Sequence, residues 1–475
     1  MEKTLVKKMI GYLPGTIIPA LLTLISLKIF SVYLTIDEFG LYNYWFTLAL
    51  LISSVFSQWI SQPILRYGTD LSIKYQEQVT SWFVSLIGMI LGIFLILENL
   101  FIGEDVKLYS LITVLIFLFT CLQIIYAKLQ INFESGKYSI LRFAESISKG
   151  IIPLIGIYLF EPKVEVIFFS IIIGISLILA FQYKKIFPSN IFGVLLIKEK
   201  TFLKTRKIYY SFGLPMVIWF LINAIMSFTD RFLLKTFSGY DSVAIYSANY
   251  TLITGSVVLV TAPLLMIAHP LLMKYWNASL KNETGKLLTN FTEIFIIFSF
   301  SLVVLTFLNR DTITMIFLDE KFKEGNVVMP LILIGFIIWQ LGMFLHKPLE
   351  FEGDTKKMVI AMMAACSINI VLNLLLIPKL SYIGASISSI ISYISYSIIV
   401  FRWGNKIIHY NLINSSVFIK NFLLSIVLLL PTIAINQLDF QFNTIFFNII
   451  LSLIYFIIYL KINLKRLFIL FRIIK

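Results

Sequence analysis

Charge is scarce in this sequence. Asp, Glu, Lys and Arg together make up 13% of its 475 residues, whereas a soluble domain carries about 25%. Hydrophobic residues make up 59%, and apolar runs of about 20 residues, the length that crosses a bilayer, follow one another along the chain. No polar stretch is long enough to form a separate soluble domain. These features exclude a soluble protein and indicate a polytopic membrane protein.

Cysteine, histidine and catalytic motifs are also scarce. Cys121 and Cys366, the two cysteines, lie in apolar segments, which excludes a disulfide framework. The three histidines, His269, His346 and His409, are far apart in sequence and predict no metal site. The sequence contains no GxxxxGK[ST], HExxH, GxSxG or CxxC pattern. We therefore expect no catalytic residues and no cofactor. Any uphill transport would draw on an ion gradient such as H⁺ or Na⁺, the membrane potential or the substrate gradient.

The apolar runs predict an all-α protein with fourteen membrane-spanning helices. The predicted spans are 9–33, 41–62, 80–101, 108–127, 140–160, 164–183, 213–234, 243–265, 290–308, 327–345, 358–377, 383–401, 421–436 and 443–460.

The distribution of Lys and Arg predicts the orientation of these spans. With the N-terminus in the cytoplasm, most of the 39 Lys and Arg residues fall in cytoplasmic segments and only seven in outer loops. This bias is the positive-inside pattern, so we expect both termini to be cytoplasmic. Three cations remain, and each lies inside a predicted span: Lys28, Lys149 and Arg231.

Two similar stretches, 13–42 and 214–246, predict an internal repeat. Each begins with Leu-Pro, carries one deep cation (Lys28 or Arg231) and ends in Leu-Tyr or Ile-Tyr. Repeated halves are common in transporters, whose substrate site then lies at the repeat interface. The predicted parts are a six-helix lobe at 1–183, a basic cytoplasmic linker at 184–212, a six-helix lobe at 213–402, and two extra helices with a basic tail at 403–475.

Charges inside the spans are the first functional candidates, because an ionisable residue at that depth is costly unless it is paired or wet. Glu145 and Lys149 have the i, i+4 spacing of an ion pair, which either faces a wet cavity or only packs the helices. Lys28 and Arg231 either reach the outer headgroups or bind substrate. Asp230 either neutralises Arg231 or binds a coupling ion.

Amide side chains inside the spans are the second group of candidates. Asn223 and Ser227 precede Asp230–Arg231 at helical spacing, so these residues share one side of a helix. Such residues either hydrogen-bond a polar ligand or join neighbouring helices. The amides that we expect to contact substrate are Gln58, Asn223, Asn249 and Asn373.

Three stretches carry a resemblance to a known family: Glu38–Gly68, Thr229–Leu252 and Ser367–Tyr393. The first resembles its FGxY…RY helix, the second its DRxxLxxxxGxxxVGxYxxA segment and the third its NxxLNxxLIPxxGxxGAAxAT signature. Ala244 and Ser381-Tyr382 depart from glycines of that pattern. The chain is thus similar to the polysaccharide-exporter branch of the MATE-like multidrug/oligosaccharidyl-lipid/polysaccharide exporter superfamily, especially to O-antigen flippases of the Wzx type.

The resemblance implies a two-lobed alternating-access transporter, and not an enzyme, in the bacterial cytoplasmic (inner) membrane. Its substrate would be a polyprenyl-pyrophosphate-linked oligosaccharide for O-antigen, capsule or exopolysaccharide, and a glycan polymerase is an expected partner; nucleic acid is not. A pyrophosphate needs cations in a low-dielectric environment. The predicted substrate-binding residues are Lys28, Lys149, Arg231, Gln58, Asn223, Asn249 and Asn373, with Asp230 and Glu145 as ion-coupling candidates.

Three alternatives stay open. A lipid II flippase would share the fourteen-span layout. A multidrug–cation antiporter would need more intramembrane carboxylates than cations, the reverse of what the spans contain. A membrane glycan polymerase or ligase would need a large outer loop, whereas the longest predicted one, 309–326, has fewer than about 20 residues.

Overall fold

The computed structural model describes residues 14–67, 73–101, 106–132, 134–182, 199–411, 415–436 and 444–474. Within them the chain is helical almost throughout. The helices are α1 Pro14–Tyr33, α2 Ile36–Tyr67, α3 Ile73–Phe101, α4 Val106–Ile131, α5 Ser135–Lys149, α6 Ile151–Leu159, α7 Val164–Phe181, α8 Lys200–Asn277, α9 Lys281–Phe317, α10 Met329–Leu345, α11 Lys347–Glu352, α12 Thr355–Gly404, α13 Ser415–Asn436 and α14 Thr444–Ile474, with a 3₁₀ helix at Glu320–Val328.

Within the described residues every predicted span is largely helical, which confirms the all-α polytopic membrane fold. Eight stretches of the described residues are long and apolar enough to cross a membrane. Two long helices each contain a pair of predicted spans. Gly239 interrupts α8 with a φ of 80°, a value that glycine adopts without steric cost. Ser381 interrupts α12 with a φ of 47°.

Two details of the helix boundaries differ from the sequence-based expectations. The fifth span consists of two helices, α5 and α6, that meet at Gly150. The longest predicted outer loop, 309–326, is largely helical: α9 continues to Phe317, and a 3₁₀ helix follows. Asp319 precedes that 3₁₀ helix, and its side chain accepts a hydrogen bond from the backbone N–H of Lys321. This N-terminal cap favours a helix in a segment whose composition is typical of a loop.

Polar side chains begin several of the membrane helices by binding their free backbone N–H groups. Thr35 Oγ1 accepts from the N–H of Glu38 at the start of α2. The Glu38 carboxylate in turn accepts from the N–H of Val164, the first residue of α7, at 2.9 Å. Asp354 begins α12 and accepts from the N–H of Lys357. The hydrogen bond and ion pair with the Lys357 side chain lower the pKa of Asp354.

The chain divides into two compact units, Met1–Ala244 and Ile245–Lys475. Unit 1 contains α1–α7 and the first half of α8. In it, α2 packs beside α4, α1 beside α5, and α7 beside α4, α5 and α6. The first half of α8 packs on α2 and α3 through aromatic contacts, such as Tyr44–Phe228 and Trp59–Tyr210. These two units do not test the predicted lobe boundaries at 183 and 213, which stay a prediction.

Unit 2 contains the second half of α8 and α9–α14. The pair α10 and α12 forms its most extensive helix contact, and α13 and α14 pack on α9. Tyr455 and Tyr459 of α14 belong to an apolar core shared with α9. Arg466 binds the buried Glu293 through two hydrogen bonds of 2.6 and 3.0 Å, which fixes the register of α14 on α9. The two C-terminal helices are therefore an integral part of unit 2.

Candidate functional site

Glu145 is a buried charge in a predicted membrane span that accepts three hydrogen bonds. It lies on α5, is 5% exposed and has a different set of partners for each oxygen. Lys149 Nζ donates to Oε1 at 2.6 Å. Tyr126 Oη donates to Oε2 at 2.7 Å, and Arg142 Nη1 donates to the same oxygen at 3.1 Å. We refer to Tyr126, Arg142, Glu145 and Lys149 as the α5 cluster.

Arg142 forms the rigid side of the α5 cluster. Its guanidinium lies 4.0 Å from the centre of the Tyr126 ring and 5.4 Å from that of Tyr138. Its Nε also donates to Tyr138 Oη at 3.2 Å. Arg142 lies near the predicted cytoplasmic end of its span, where the sequence alone favours a headgroup anchor. In the structure Arg142 instead contacts Tyr126, Tyr138 and Glu145 inside unit 1. A planar guanidinium stacks on aromatic rings better than a lysine ammonium does.

Lys149 forms the adaptable side of the α5 cluster. Its ammonium lies 4.6 Å from the Phe119 ring centre and 5.7 Å from that of Phe46. The side chain is 26% exposed, whereas that of Glu145 is 6% exposed. Lys149 is the last residue of α5, and Gly150 separates it from α6. A ligand could reach this cation without displacing Arg142.

Lys28 is half-buried on α1, which packs along α5. The contact between the two helices runs through Ser26 and Gly150: a Cβ on Gly150 would collide with Ser26 Oγ, so only glycine allows this close approach. Because successive helical residues are about 100° apart, Lys28 lies about 200° around α1 from Ser26. Lys28 therefore does not share the α1 face that contacts Gly150.

Asp230 and Arg231 are both buried on the first half of α8, at 4% and 6% exposure. Arg231 Nη1 donates to the carbonyl of Ser227 at 3.0 Å. Ser227 Oγ donates to the carbonyl of Asn223, also at 3.0 Å. The predicted one-sided arrangement of Asn223, Ser227 and Arg231 is thus visible as a chain of i, i+4 hydrogen bonds within unit 1.

The predicted amides differ in their surroundings. Gln58 is half-buried in unit 1 and accepts from Gln62 at 2.7 Å. Asn249 is fully buried in unit 2: its Nδ2 donates to the Ile245 carbonyl, and its Oδ1 has no hydrogen-bond partner among the described residues. Asn373, also fully buried in unit 2, donates to Asn369 Oδ1 at 3.0 Å.

The predicted site residues are therefore divided between the units. Unit 2 holds only Asn249 and Asn373. Unit 1 holds the others: Lys28, Gln58, Glu145, Lys149, Asn223, Asp230 and Arg231. Their assignment as a single site stays a prediction.

Sequence reasoning missed the tyrosines of the α5 cluster and a second polar cluster. Tyr138 lies four residues before Arg142, a spacing that could have indicated the contact. Tyr126 lies on another helix and gave no such signal. In unit 2, His269 and His346 converge on Glu350 although they are distant in sequence. Their nitrogens lie 3.8 and 3.7 Å from Glu350 oxygens, and no metal-binding group of three or more was found among the described residues.

Comparison with known proteins adds a family and a fold. The sequence matches the polysaccharide biosynthesis protein family over residues 5–276. It is 24% identical over 433 residues to an uncharacterized membrane protein of Methanocaldococcus jannaschii, covering 87% of this chain and 80% of that protein.

The fold is similar to that of a lipid II flippase, MurJ, in an inward closed conformation. The TM-score is 0.69 at 17% identity, over 98% of this chain and 100% of that one. An outward-facing multidrug resistance MATE transporter of the MOP superfamily gives 0.62 at 13% identity, over 84% and 94%. A MOP superfamily transporter from Pyrococcus furiosus gives 0.55 at 14%, over the same shares.

Proposed function

Because this chain belongs to the polysaccharide biosynthesis protein family, we propose that it is a flippase for polyprenyl-pyrophosphate-linked oligosaccharides. It moves them from the cytoplasmic to the outer leaflet by alternating access. The product serves the assembly of O-antigen, capsule or exopolysaccharide. The protein transports its substrate without covalent chemistry, so no residue has a catalytic role.

The observation that carries this proposal is that the two carboxylate oxygens of Glu145 have separate hydrogen-bond donors. One carboxylate oxygen binds Lys149, and the other binds Tyr126 and Arg142. A phosphate group can therefore attract Lys149 away from Oε1 while Oε2 keeps both of its donors. The buried carboxylate is never left unpaired, which is the costly event for a charge at this depth. Lys149 is thus a cation that can exchange its partner, Glu145 Oε1, for an anionic ligand.

The other predicted residues keep their proposed roles. Lys28 and Arg231 supply further positive charge for the pyrophosphate or for acidic sugars. Asp230 and Glu145 are ion-coupling candidates, and Glu145 is also the counter-ion of Lys149 and Arg142. The amides that we propose to contact the glycan are Gln58, Asn223, Asn249 and Asn373.

A lipid II flippase is the second candidate, and one observation favours it. The likeness to MurJ extends over 98% of this chain, whereas the likeness to the MATE transporter extends over 84%. Lipid II also carries a polyprenyl pyrophosphate, so the same cations would serve. A multidrug–cation antiporter is less well supported, since an exchangeable cation such as Lys149 repels a cationic drug. A glycan polymerase or ligase would need a large outer loop to hold its active site, and the sequence predicts no such loop in this chain.

We place the protein in the cytoplasmic membrane as a multi-pass protein with both termini in the cytoplasm. The positive-inside bias supports this orientation. The partner that we expect is a glycan polymerase that consumes the flipped lipid. Reporter fusions after Lys200 and after Lys475 should both report a cytoplasmic location, and an external C-terminus would contradict it.

Flipping by the purified chain in proteoliposomes tests the function. The probe is a fluorescent polyprenyl-pyrophosphate oligosaccharide, and quenching from outside reports the leaflet that it occupies. We expect flipping at least about tenfold faster than in protein-free vesicles, a barrier difference of about 1.4 kcal/mol. A monophosphate-linked probe should flip more slowly, because it presents less charge to Lys149.

The comparison probes separate the candidates. Faster flipping of lipid II than of the oligosaccharide probe would favour the second candidate. Movement of a cationic dye with no movement of either lipid would favour the antiporter. Lipid flipping no faster than in protein-free vesicles would refute the proposal.

A further inference from the structure

A second polar cluster lies in unit 2 and contains none of the predicted site residues. It consists of His269, His346, Lys347, Glu350 and Tyr396, and we call it the junction cluster. It joins three elements: the second half of α8, the junction between α10 and α11, and α12. His346 is itself the junction, since it ends α10 and precedes α11.

Glu350 is the centre of the junction cluster. Its Oε2 accepts from Lys347 Nζ at 2.6 Å and lies 3.7 Å from His346 Nε2. On the other side of the His346 ring, Nδ1 lies 2.9 Å from Tyr396 Oη, so His346 is fixed between α11 and α12. The second oxygen, Oε1, lies 3.8 Å from His269 Nδ1 on α8. That oxygen faces a histidine across a distance longer than a hydrogen bond.

His269 also contacts Lys347, whose Nζ lies 3.2 Å from His269 Nδ1. In a hydrogen bond between these atoms the ammonium donates and Nδ1 accepts, which requires a neutral imidazole. Burial lowers the pKa of His269, the Lys347 ammonium lowers it further, and Glu350 opposes both. The groups around His269 are thus one cation, Lys347, and one carboxylate, Glu350, with His346 and Tyr396 behind them.

A proton on His269 Nδ1 would change its partner. The new N–H bond takes the lone pair that accepts from Lys347, and the two cations then repel each other. The nearest acceptor is Glu350 Oε1, now 3.8 Å away. The imidazolium would pair with that oxygen while Lys347 stays on Oε2. One proton therefore exchanges a Lys347–His269 contact for a His269–Glu350 ion pair.

The position of this exchange gives it a mechanical consequence. His269 and Trp276 of α8 both pack on Phe351 of α11, with ring centres 6.2 and 6.0 Å apart. The helices α8 and α11 therefore share an apolar contact in either state. Protonation of His269 changes only the polar contact beside it, from Lys347 to Glu350. Half of the His269 side chain remains accessible, at 42% exposure, so water can deliver the proton.

We propose that the junction cluster is the proton site that couples transport to a proton gradient, with His269 as the acceptor and Glu350 as its counter-ion. Protonation draws the second half of α8 towards α11, and deprotonation returns His269 to Lys347. The coupling to transport rests on the proposed flippase function, whereas the proton site itself does not.

Histidine NMR tests the site without any transport. The chain contains three histidines, so ring-labelled His in nanodiscs gives three signals that His→Gln variants assign. Lys347→Ala should raise the titration midpoint of His269 by about one pH unit, because a neighbouring cation is lost. Glu350→Gln should lower it by a similar amount, because the counter-ion is lost. His409 is exposed and lies outside the cluster, so its signal serves as the internal reference.

A pH gradient across the proteoliposome membrane tests the coupling. A gradient of one pH unit is a tenfold ratio of proton activity, and we expect it to change probe flipping by about threefold to tenfold. The dependence should be lost in His269→Gln and retained in His409→Gln. A dependence that survives in His269→Gln, or that is absent from the wild type, overturns the coupling.

The two arms fail separately. If the wild-type chain does not flip the probe, the proposed function fails, and the NMR titration still decides the proton site. A His269 midpoint that moves in neither the Lys347 nor the Glu350 variant overturns the site itself.

Discussion

The α5 cluster of unit 1 is centred on a buried carboxylate, Glu145, and the junction cluster of unit 2 on a half-buried one, Glu350. Glu145 binds a lysine, an arginine and a tyrosine, all within hydrogen-bond distance. Glu350 binds one lysine and has two histidines just beyond that distance. The cations of the α5 cluster are an arginine and a lysine, whereas the junction cluster also contains imidazoles, the side chains whose ordinary pKa lies between about pH 5 and 8.

This difference suggests different tasks. A cluster of permanent charges is suited to binding an anion, because its charge does not depend on conditions. A cluster with imidazoles is suited to responding to protons, because a small change in its surroundings changes its charge. We therefore assign substrate binding to the α5 cluster and coupling to the junction cluster. The following substitutions test that contrast.

Removal of the Glu145 charge should have the largest effect on stability. Glu145→Gln leaves Lys149 and Arg142 without their counter-ion in a buried place, which should cost about 3–5 kcal/mol in the free energy of unfolding. Unfolding in mixed detergent–SDS micelles measures it. The control is Glu283→Gln, which breaks the exposed pair with Lys286 and should cost less than about 1 kcal/mol. Equal losses in the two variants would show that Glu145 is not an essential counter-ion.

The two tyrosines should differ in the energy that their hydroxyls contribute. Tyr126→Phe removes a hydrogen bond to the Glu145 carboxylate, for which we expect a loss of about 1.5–3 kcal/mol. Tyr396→Phe removes a bond to the neutral His346 ring, for which we expect about 0.5–1.5 kcal/mol. The same unfolding assay compares them. A larger loss in Tyr396→Phe would reverse our distinction between the clusters.

Replacing Arg142 by lysine should have the smallest effect. Arg142→Lys keeps the positive charge near Glu145 but loses the guanidinium stack over the Tyr126 ring. We expect a loss of about 1 kcal/mol, measured as a lower thermal midpoint in nanodiscs. Its matched variant is Lys347→Arg in the junction cluster, where the lysine contacts the Glu350 carboxylate and the Nδ1 atom of His269 rather than the face of a ring, so no stacking is lost. A stable Arg142→Lys protein would mean that charge alone matters at this position.

The sequence was sufficient to predict the fold for a physical reason. Apolar runs of membrane length are local signals, and within the described residues the predicted spans are largely helical. The pair Glu145–Lys149 was also predictable, because an i, i+4 spacing brings the two charges together on any helix.

Contacts between helices were not predictable in this way. Tyr126 reaches Glu145 from α4, and His269 reaches Glu350 from a helix about 80 residues away in sequence. Neither contact leaves a periodic signal in the sequence. The break at Gly150 was missed for a related reason, since a glycine inside an apolar run reads as a packing position until its neighbours are known.

Lys149 provides the most direct test of the central claim that an exchangeable cation binds the pyrophosphate. The control is Lys137, on the same helix, whose ammonium also lies 2.6 Å from a glutamate, Glu134, but whose side chain is 66% exposed. In the flipping assay, Lys149→Ala should slow transport of the pyrophosphate-linked probe by about 10- to 100-fold, the value of a charge-assisted hydrogen bond, while Lys137→Ala flips at the wild-type rate. Equal rates in the two variants at equal reconstitution would contradict the account.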